Sequence, residues 1–352
     1  MKKFSLHIIL SITLIFCSGK IINAQSVDEA ITNLSSDAAK KYINPVAATL
    51  GSNMSAGWFS GLPQKDLLGF HATLRFVGVG SIFVEKERNF STVADFRLTS
   101  AQVDDILTAS GINPSGYPNY NDLKNEILSK DWNLIIDGPT ITGSRDENVE
   151  IVFPETQVQG ETINEYAIQL EDVKGYLDGF PMLPTLAVQL DLSGFAGSGI
   201  TIRYLPPIDF NSMGKMKIFG GGITHNISYW LPETFPVDLG IAVYFQDFEL
   251  GNVLRNVTAQ TGFYISEKIG GAVALLPYAG ITVESSKTDI NYNYSFDTPA
   301  GTQEGNISLS VGGDNTVSYV FGSKLIFPVL SINFNLRFSH TTTGSIGVGF
   351  GF

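Results

Sequence analysis

The chain has 352 residues, and its 34 acidic against 22 basic side chains give a formal charge of −12, which excludes nucleic acid as a partner. A single cysteine, Cys17, excludes a disulfide framework and a cysteine metal site. Beyond the N-terminal leader no uninterrupted apolar run reaches the roughly 18 residues of a spanning helix, so any passage through a membrane falls to strands.

Lys2 and Lys3, the apolar stretch Leu6 to Phe16, and Ile22-Asn23-Ala24 read as a secretory signal peptide over residues 1–24, cleaved after Ala24. Cys17 leaves with it. A lipoprotein anchor needs small residues ahead of that cysteine, and Ile15 and Phe16 stand there instead. Residues 25–55 form an N-terminal segment that is helical to about residue 50: Val27, Ala30, Ile31, Leu34 and Ala38 recur at helical spacing, and Ser26 with Glu29 matches a capping box. Pro45 is expected to break or kink it. Two placements stay open, a periplasmic amphipathic helix and a plug inside a barrel.

From residue 56 to 352 the dominant signal is alternation. Phe70, Ala72, Leu74 and Phe76 share one face of a strand, and His71, Thr73 and Arg75 the other. Between Glu85 and Leu183 the pattern thins: a short helix at Ala101 to Ala109, a turn-rich stretch from Gly111 to Asn121, and weak strands at Trp132 to Ile136, Val149 to Phe153 and Tyr166 to Leu170. This interval is expected to add two to four strands and an external excursion. After Pro184 the alternation resumes and persists, through Leu186 to Leu192, Ile200 to Tyr204, Lys215 to Trp230, Val237 to Phe245, Val257 to Ile265, Ala272 to Tyr292, Val317 to Phe327, Leu330 to Phe338 and Ile346 to Phe352. Ser295 to Asn306 reads as a polar loop. Apolar groups on one side and polar ones on the other, in many long strands, predict an all-β fold: a transmembrane antiparallel β-barrel of about 12 to 14 strands. Trp230 and Tyr204, at strand ends, suit an interfacial aromatic girdle.

The polar face carries the candidate functional residues. Arg75, Arg203, Lys324 and Arg337 fall on the same side as Asp191 and Asp238, which predicts a lumen ion-pair network that packs the barrel or holds the N-terminal segment, with a solute pathway as the alternative. Gly240, Gly262, Gly347, Gly349 and Gly351 share that side and leave room for water, a ligand or a plug. No catalytic, metal or cofactor site is expected. His7 lies in the leader, and His71, His225 and His340 are isolated; Ser228 and Ser339 have the wrong strand parity to meet His225 and His340, and a cross-strand Ser–His pair cannot be read from sequence. Asp104-Asp105 is read as a solvated acidic loop rather than a Ca²⁺ site.

Two resemblances refine the expectation. Phe350 and the terminal Phe352 resemble the assembly signal by which the barrel-assembly machinery takes up outer-membrane strands, so the implied partners are that machinery, outer-membrane lipid and an unidentified solute. Across Ala56 to Phe70, Leu183 to Leu190, Arg203 to Pro207 and Gly220 to Pro232, the chain resembles a domain-of-unknown-function family of Gram-negative outer-membrane barrels. More distantly, Asn44-Pro45-Val46 is similar to the N-terminal Asn-Pro-Ala of FadL-type transporters of hydrophobic compounds, although a charged helix stands where those have a Gly-rich hatch. The family implies location and architecture. The expected function is porin-like passive transport of a small solute, a hydrophobic compound among the candidates; the alternative is a non-transporting structural or assembly barrel closed by its own side chains.

Overall fold

A computed structural model describes residues 36–209, 214–232, 234–298 and 301–351. The chain divides into two compact units, one built from residues 40–88, 140–142 and 179 onward, the other from residues 89–139 and 143–178 with the start of the first helix.

The larger unit is a closed antiparallel barrel. Strands β1 (Leu68–Ile82), β8 (Met182–Phe195), β9 (Ser198–Asp209), β10 (Lys215–Asn226), β11 (Asp238–Leu250), β12 (Leu254–Ser266), β14 (Ala274–Thr298), β16 (Val317–Ile326), β17 (Leu330–Phe338) and β18 (Thr343–Gly351) pair in sequence. β1 against β18 and β12 against β14 complete the ring. Among the described residues the barrel therefore has ten strands, not the 12 to 14 that chain length suggested. The difference has two sources: about a quarter of the chain is spent on the inserted unit, and β15 (Gly301–Gly312) pairs only with the distal part of β14. The stretch from Ser295 is thus part of a strand hairpin and not a polar loop. A two-residue strand, β13 (Ile269–Gly270), lies in the turn before β14.

Alternation sets the two faces. Phe70, Leu74, Phe219, Ile241, Phe263, Ile281, Phe321, Leu336 and Phe350 point outward and are exposed around the ring. A continuous apolar belt of this extent is the outer surface of a membrane-spanning barrel. No helix among the described residues is long and apolar enough to cross a membrane.

Helix α1 (Ser36–Ser55) continues through Pro45, where the sequence predicted a break or a kink, so the break does not occur. Its wall partners account for the difference: Ala47, Ala48, Leu50, Ser52, Asn53 and Met54 are all buried, so packing on every side offsets the about 3 kcal/mol a mid-helix proline costs. Residues of α1 bond to the inner wall of the barrel, Ser52 to Thr343 and Asn53 to Ser81, while residues 25–35 of the predicted segment lie outside the described residues. The capping box at Ser26 and Glu29, the cleavage position Ala24 and the terminal Phe352 lie outside the described residues.

The second unit occupies most of the interval where barrel strands were expected. The helix and the three weak strands are all present, but the strands leave the barrel. β2 (Asn89–Phe96), β3 (Trp132–Pro139), β4 (Asn148–Phe153) and β7 (Tyr166–Lys174) form their own antiparallel sheet. β5 (Thr156–Val158) pairs with β6 (Glu161–Ile163) as a small hairpin. Helices α2 (Ser100–Ala109) and α3 (Tyr120–Leu128) complete the unit, α2 opened by a reciprocal Thr99–Gln102 capping box. The sequence reading had no α3. The core is apolar: Val103, Ile106, Leu107, Leu123, Ile127, Leu134, Ile136, Val149, Ile151 and Phe153 are fully buried.

Candidate functional site

The site is the end of α1 and the wall that grips it. A helix leaves its last carbonyls without partners and carries partial negative charge there. Inside this barrel, guanidinium groups from the wall supply the donors. Arg337 Nη1 donates to Ser55 O (2.6 Å), Arg203 Nη2 to Ala56 O (3.1 Å), and Arg75 Nη2 to Trp58 O, which also accepts from Gln189 Nε2 (3.0 Å). All three arginines are at most 2% exposed. Gly57, at φ +71°, turns the chain out of the helix, and a Cβ there would lie 2.7 Å from Val77 Cγ1. The segment therefore passes directly beside β1 and β18.

Each arginine is balanced differently. Arg75 Nε donates to Asp191 Oδ2 at 2.8 Å, and Asp191 Oδ1 also accepts from Gln189 and Thr201. Arg337 is paired with buried Glu284 and donates to Gln260 and Thr282. Arg203 has no carboxylate partner among the described residues; it donates to the amide oxygens of Gln189 and Gln246, and its guanidinium sits 3.9 Å from the centre of the Trp58 ring. Desolvated cation–π contacts of this kind contribute about 2 kcal/mol.

Below the arginines the plug is aromatic. Phe59 stacks on Tyr264 at 3.8 Å and meets Tyr278 edge-on at 5.0 Å, while Trp58 stacks on Tyr244 at 5.0 Å. Two of the tyrosine hydroxyls are held by the wall: Tyr244 with Thr224, and Tyr278 with the amides of Asn333 and Asn335. Glycines in the wall make the space. A Cβ on Gly220 would stand 2.8 Å from Trp58, and one on Gly262 would stand 2.6 Å from Tyr264. The glycine face of β18 is filled as well: a Cβ at Gly349 would meet Ser331 at 2.7 Å and Thr73 at 2.9 Å. The room predicted from these glycines is real, and the protein's own side chains and plug occupy it.

Of the six charged residues picked from sequence, all six face inward, but they do not form one network. Arg75, Asp191 and Arg203 meet through Gln189; Arg337 stands apart with Glu284. Asp238 pairs instead with Lys65, in the linker before β1, at 2.9 Å. Lys324 makes no hydrogen bond or ion pair among the described residues and lines a cavity of about 320 Å³ at the short-turn end of the barrel, with Trp58, His71, Thr73, Lys268 and Ser331. Sequence reading missed Glu284, Trp58, Phe59 and the three lumen tyrosines. Glu284 shares strand parity with Thr282 and Gly280, a signal present in the sequence. Phe350 is on the lipid side, 53% exposed.

A cross-strand Ser–His pair does exist. Ser198 Oγ is 3.0 Å from His225 Nδ1, and Trp230 Nε1 donates to His225 Nε2 at 3.0 Å. An indole N–H only donates, so Nε2 accepts and the neutral ring carries its proton on Nδ1. That nitrogen then donates to Ser198, the reverse of what a general base does. Asp104, half of the acidic pair weighed for Ca²⁺, is bound by Lys124 Nζ at 2.6 Å and by the Tyr120 hydroxyl at 2.6 Å.

Comparison with solved structures finds similarity to outer-membrane barrels. The N-terminal β-barrel domain of Pseudomonas aeruginosa OprF is 13% identical over 44% of this chain and 94% of that one, with a TM-score of 0.20. A loop-deletion mutant of OmpT, an outer membrane protein of Vibrio cholerae, is 8% identical over 81% and 99%, at 0.22. Ail, the attachment invasion locus protein of Yersinia pestis, is 10% identical over 80% and 98%, at 0.18. These TM-scores carry no argument, and the barrel rests on the strand pairing described above. No curated protein matches the chain. One family model matches residues 1–352 in full, and the chain belongs to that family, DUF6588, described as a family of unknown function.

Proposed function

We propose that the protein resides in the outer membrane as a plugged barrel that passes a small solute when its N-terminal segment is displaced. The single observation that carries this reading is the nature of the filling. The lumen is closed by a separate piece of chain, which among the described residues runs into the wall at the start of β1, and the wall behind it is polar: Arg75, Arg203, Arg337, Gln189, Gln246 and Gln260 face the plug. A wall of that kind is wettable once the plug leaves, and such a lumen is how barrels conduct. Leader cleavage and uptake by the assembly machinery through Phe350 and Phe352 belong to the same proposal. The competing reading, a permanently closed structural barrel, draws on the clamp in which Arg75, Arg203 and Arg337 each donate to a plug carbonyl.

Single-channel recording on protein refolded into planar bilayers separates the two. Intact protein is expected to stay closed and protein lacking residues 25–55 to open. Continued silence of a truncated protein that remains heat-modifiable on gels removes the transport reading.

A further inference from the structure

Among the described residues Lys324 has no hydrogen-bond or ion-pair partner, whereas Arg203, the other lumen cation without a carboxylate, is held by amide oxygens, a carbonyl and the Trp58 ring. Lys324 lies on β16, half-buried, with its side chain toward the cavity at the turn end of the barrel. Its charged neighbours are Arg75, Lys268 and Asp191. The acid among them is already committed: Asp191 accepts from Arg75, Gln189 and Thr201. Arg75 is likewise engaged, with Asp191, Asn333 and the Trp58 carbonyl. The cavity thus holds an excess of positive charge next to hydroxyl donors on Thr73 and Ser331, with the Trp58 ring among its walls. The cavity is half open to solvent, so an anion can reach the Lys324 ammonium, and an unpaired cation in a partly desolvated site attracts a counter-charge more strongly than one in bulk water. The volume of about 320 Å³ is in the range of small-molecule sites.

We infer that this cavity binds a small oxyanion, with Lys324 as its charge partner and the Thr73 and Ser331 hydroxyls as donors. The anion is either free in solution or the phosphate of a lipid headgroup, since the same chemistry recognises both. The site stands independently of whether the barrel conducts.

The test is calorimetric titration of the full-length protein, solubilised in a nonionic detergent, with two probes: inorganic phosphate, and a short-chain phosphatidic acid kept below its micelle-forming concentration. Saturable binding of phosphate supports the site and assigns a free anion. Saturable binding of the lipid alone supports it and assigns a headgroup. Lys324→Met is expected to weaken whichever probe binds by at least tenfold and Lys324→Arg to retain it, with heat-modifiability on gels reporting that each variant is folded. Ser331→Phe, which fills the cavity without touching the charge, is the second variant should Lys324→Met not fold, and it is expected to abolish binding. Absence of saturable binding by both probes, or equal affinity in folded Lys324→Met or Ser331→Phe, overturns the inference. No current is measured here, so failure of this site and failure of the transport reading are separate results.

Discussion

The two units of this chain solve the problem of an interior in opposite ways. In the inserted unit, residues such as Phe153, Ile106, Leu123 and Ile136 are fully buried while the outer faces of its strands carry Glu150 and Gln169. In the barrel, Phe321, Leu336 and Phe350 are outside, while Arg75, Arg203 and Arg337 are the buried groups. What differs is the solvent. Where water surrounds the unit, apolar burial drives folding, and where lipid does, that drive is absent and the interior can be polar provided every donor and acceptor is matched. The consequence is a difference in fragility: the apolar core fails by forming cavities, the polar one by stranding a charge.

The largest expected effect follows from stranding. Arg337→Met leaves Glu284 buried without its partner and Ser55 O without its donor. A loss of about 3–5 kcal/mol is expected in urea unfolding of the detergent-solubilised protein. The double variant Arg337→Met with Glu284→Gln removes both charges and should recover most of it. A single variant as stable as the parent would show that the lumen is wet enough to solvate Glu284, and the contrast between the two interiors would collapse.

The corresponding change in the inserted unit is Phe153→Ala. Phe153 meets Trp132 edge-on at 4.9 Å, and truncation should cost about 3–5 kcal/mol through cavity formation. No second substitution of the charge-removing kind rescues it, because nothing is left unpaired. Near-ultraviolet dichroism of Trp132 reads the transition locally.

Exposed faces give a smaller and more diagnostic contrast. Phe321 and Ile135 are similarly exposed, at 52% and 46%. Phe321→Arg, in the middle of β16 on the lipid side, is expected to cost about 2–4 kcal/mol, the range for a charge near a bilayer midplane. Ile135→Arg on the inserted unit should stay within about 0.5 kcal/mol, as surface changes in water do. Equal costs at the two positions would contradict the membrane placement of the belt.

How far each unit could be read from sequence follows from the same contrast. Barrel strands announce themselves, because lipid outside and polar groups inside impose a period of two over long runs such as Leu330 to Phe338. The inward direction of Arg75, Arg203 and Arg337 is therefore local information. Their partners are not: Arg337 meets Ser55 across 282 positions of chain, and only closure of the ring brings them together. Pro45 misled for a related reason, since propensity argues for a break and the enclosing wall overrides it. Closure also decides strand number, which length alone overestimated by including residues 89–178. In that interval the short helix and strands were visible one by one. Their common sheet was not, because antiparallel partners β2 and β3 are separated by two helices, of which Tyr120–Leu128 is short, polar on average and begins inside the turn-rich stretch from Gly111 to Asn121, so its buried Tyr120, Leu123 and Ile127 do not stand out.

The smallest expected effect concerns pH, and it belongs to the inserted unit alone. Asp104 is held below the usual carboxylate range, first by the hydrogen bond from Lys124 and next by that from Tyr120. Tyr120 is pushed up to about 12, first by burial and then by its bond to Asp104. The two shifts act at opposite ends of the scale. For Asp104 the folded state binds its proton less tightly than the unfolded chain, so its contribution is present above the ordinary value of 3.8 and is lost as pH falls through the lower folded value. For Tyr120 the folded state binds its proton more tightly, so its contribution is complete below 10.0 and is lost as pH rises toward about 12. Because the Asp104 side chain is 43% exposed, screening limits its share to less than about 1 kcal/mol. Asp104→Asn should therefore flatten the acid limb of the unfolding midpoint while barrel heat-modifiability at neutral pH is unchanged. It should also shrink the alkaline limb, which still begins near 10.0 but ends at lower pH, since Tyr120 loses a charged acceptor and keeps only the burial contribution. An acid limb that persists unchanged in this variant would place the titrating carboxylate elsewhere in the chain.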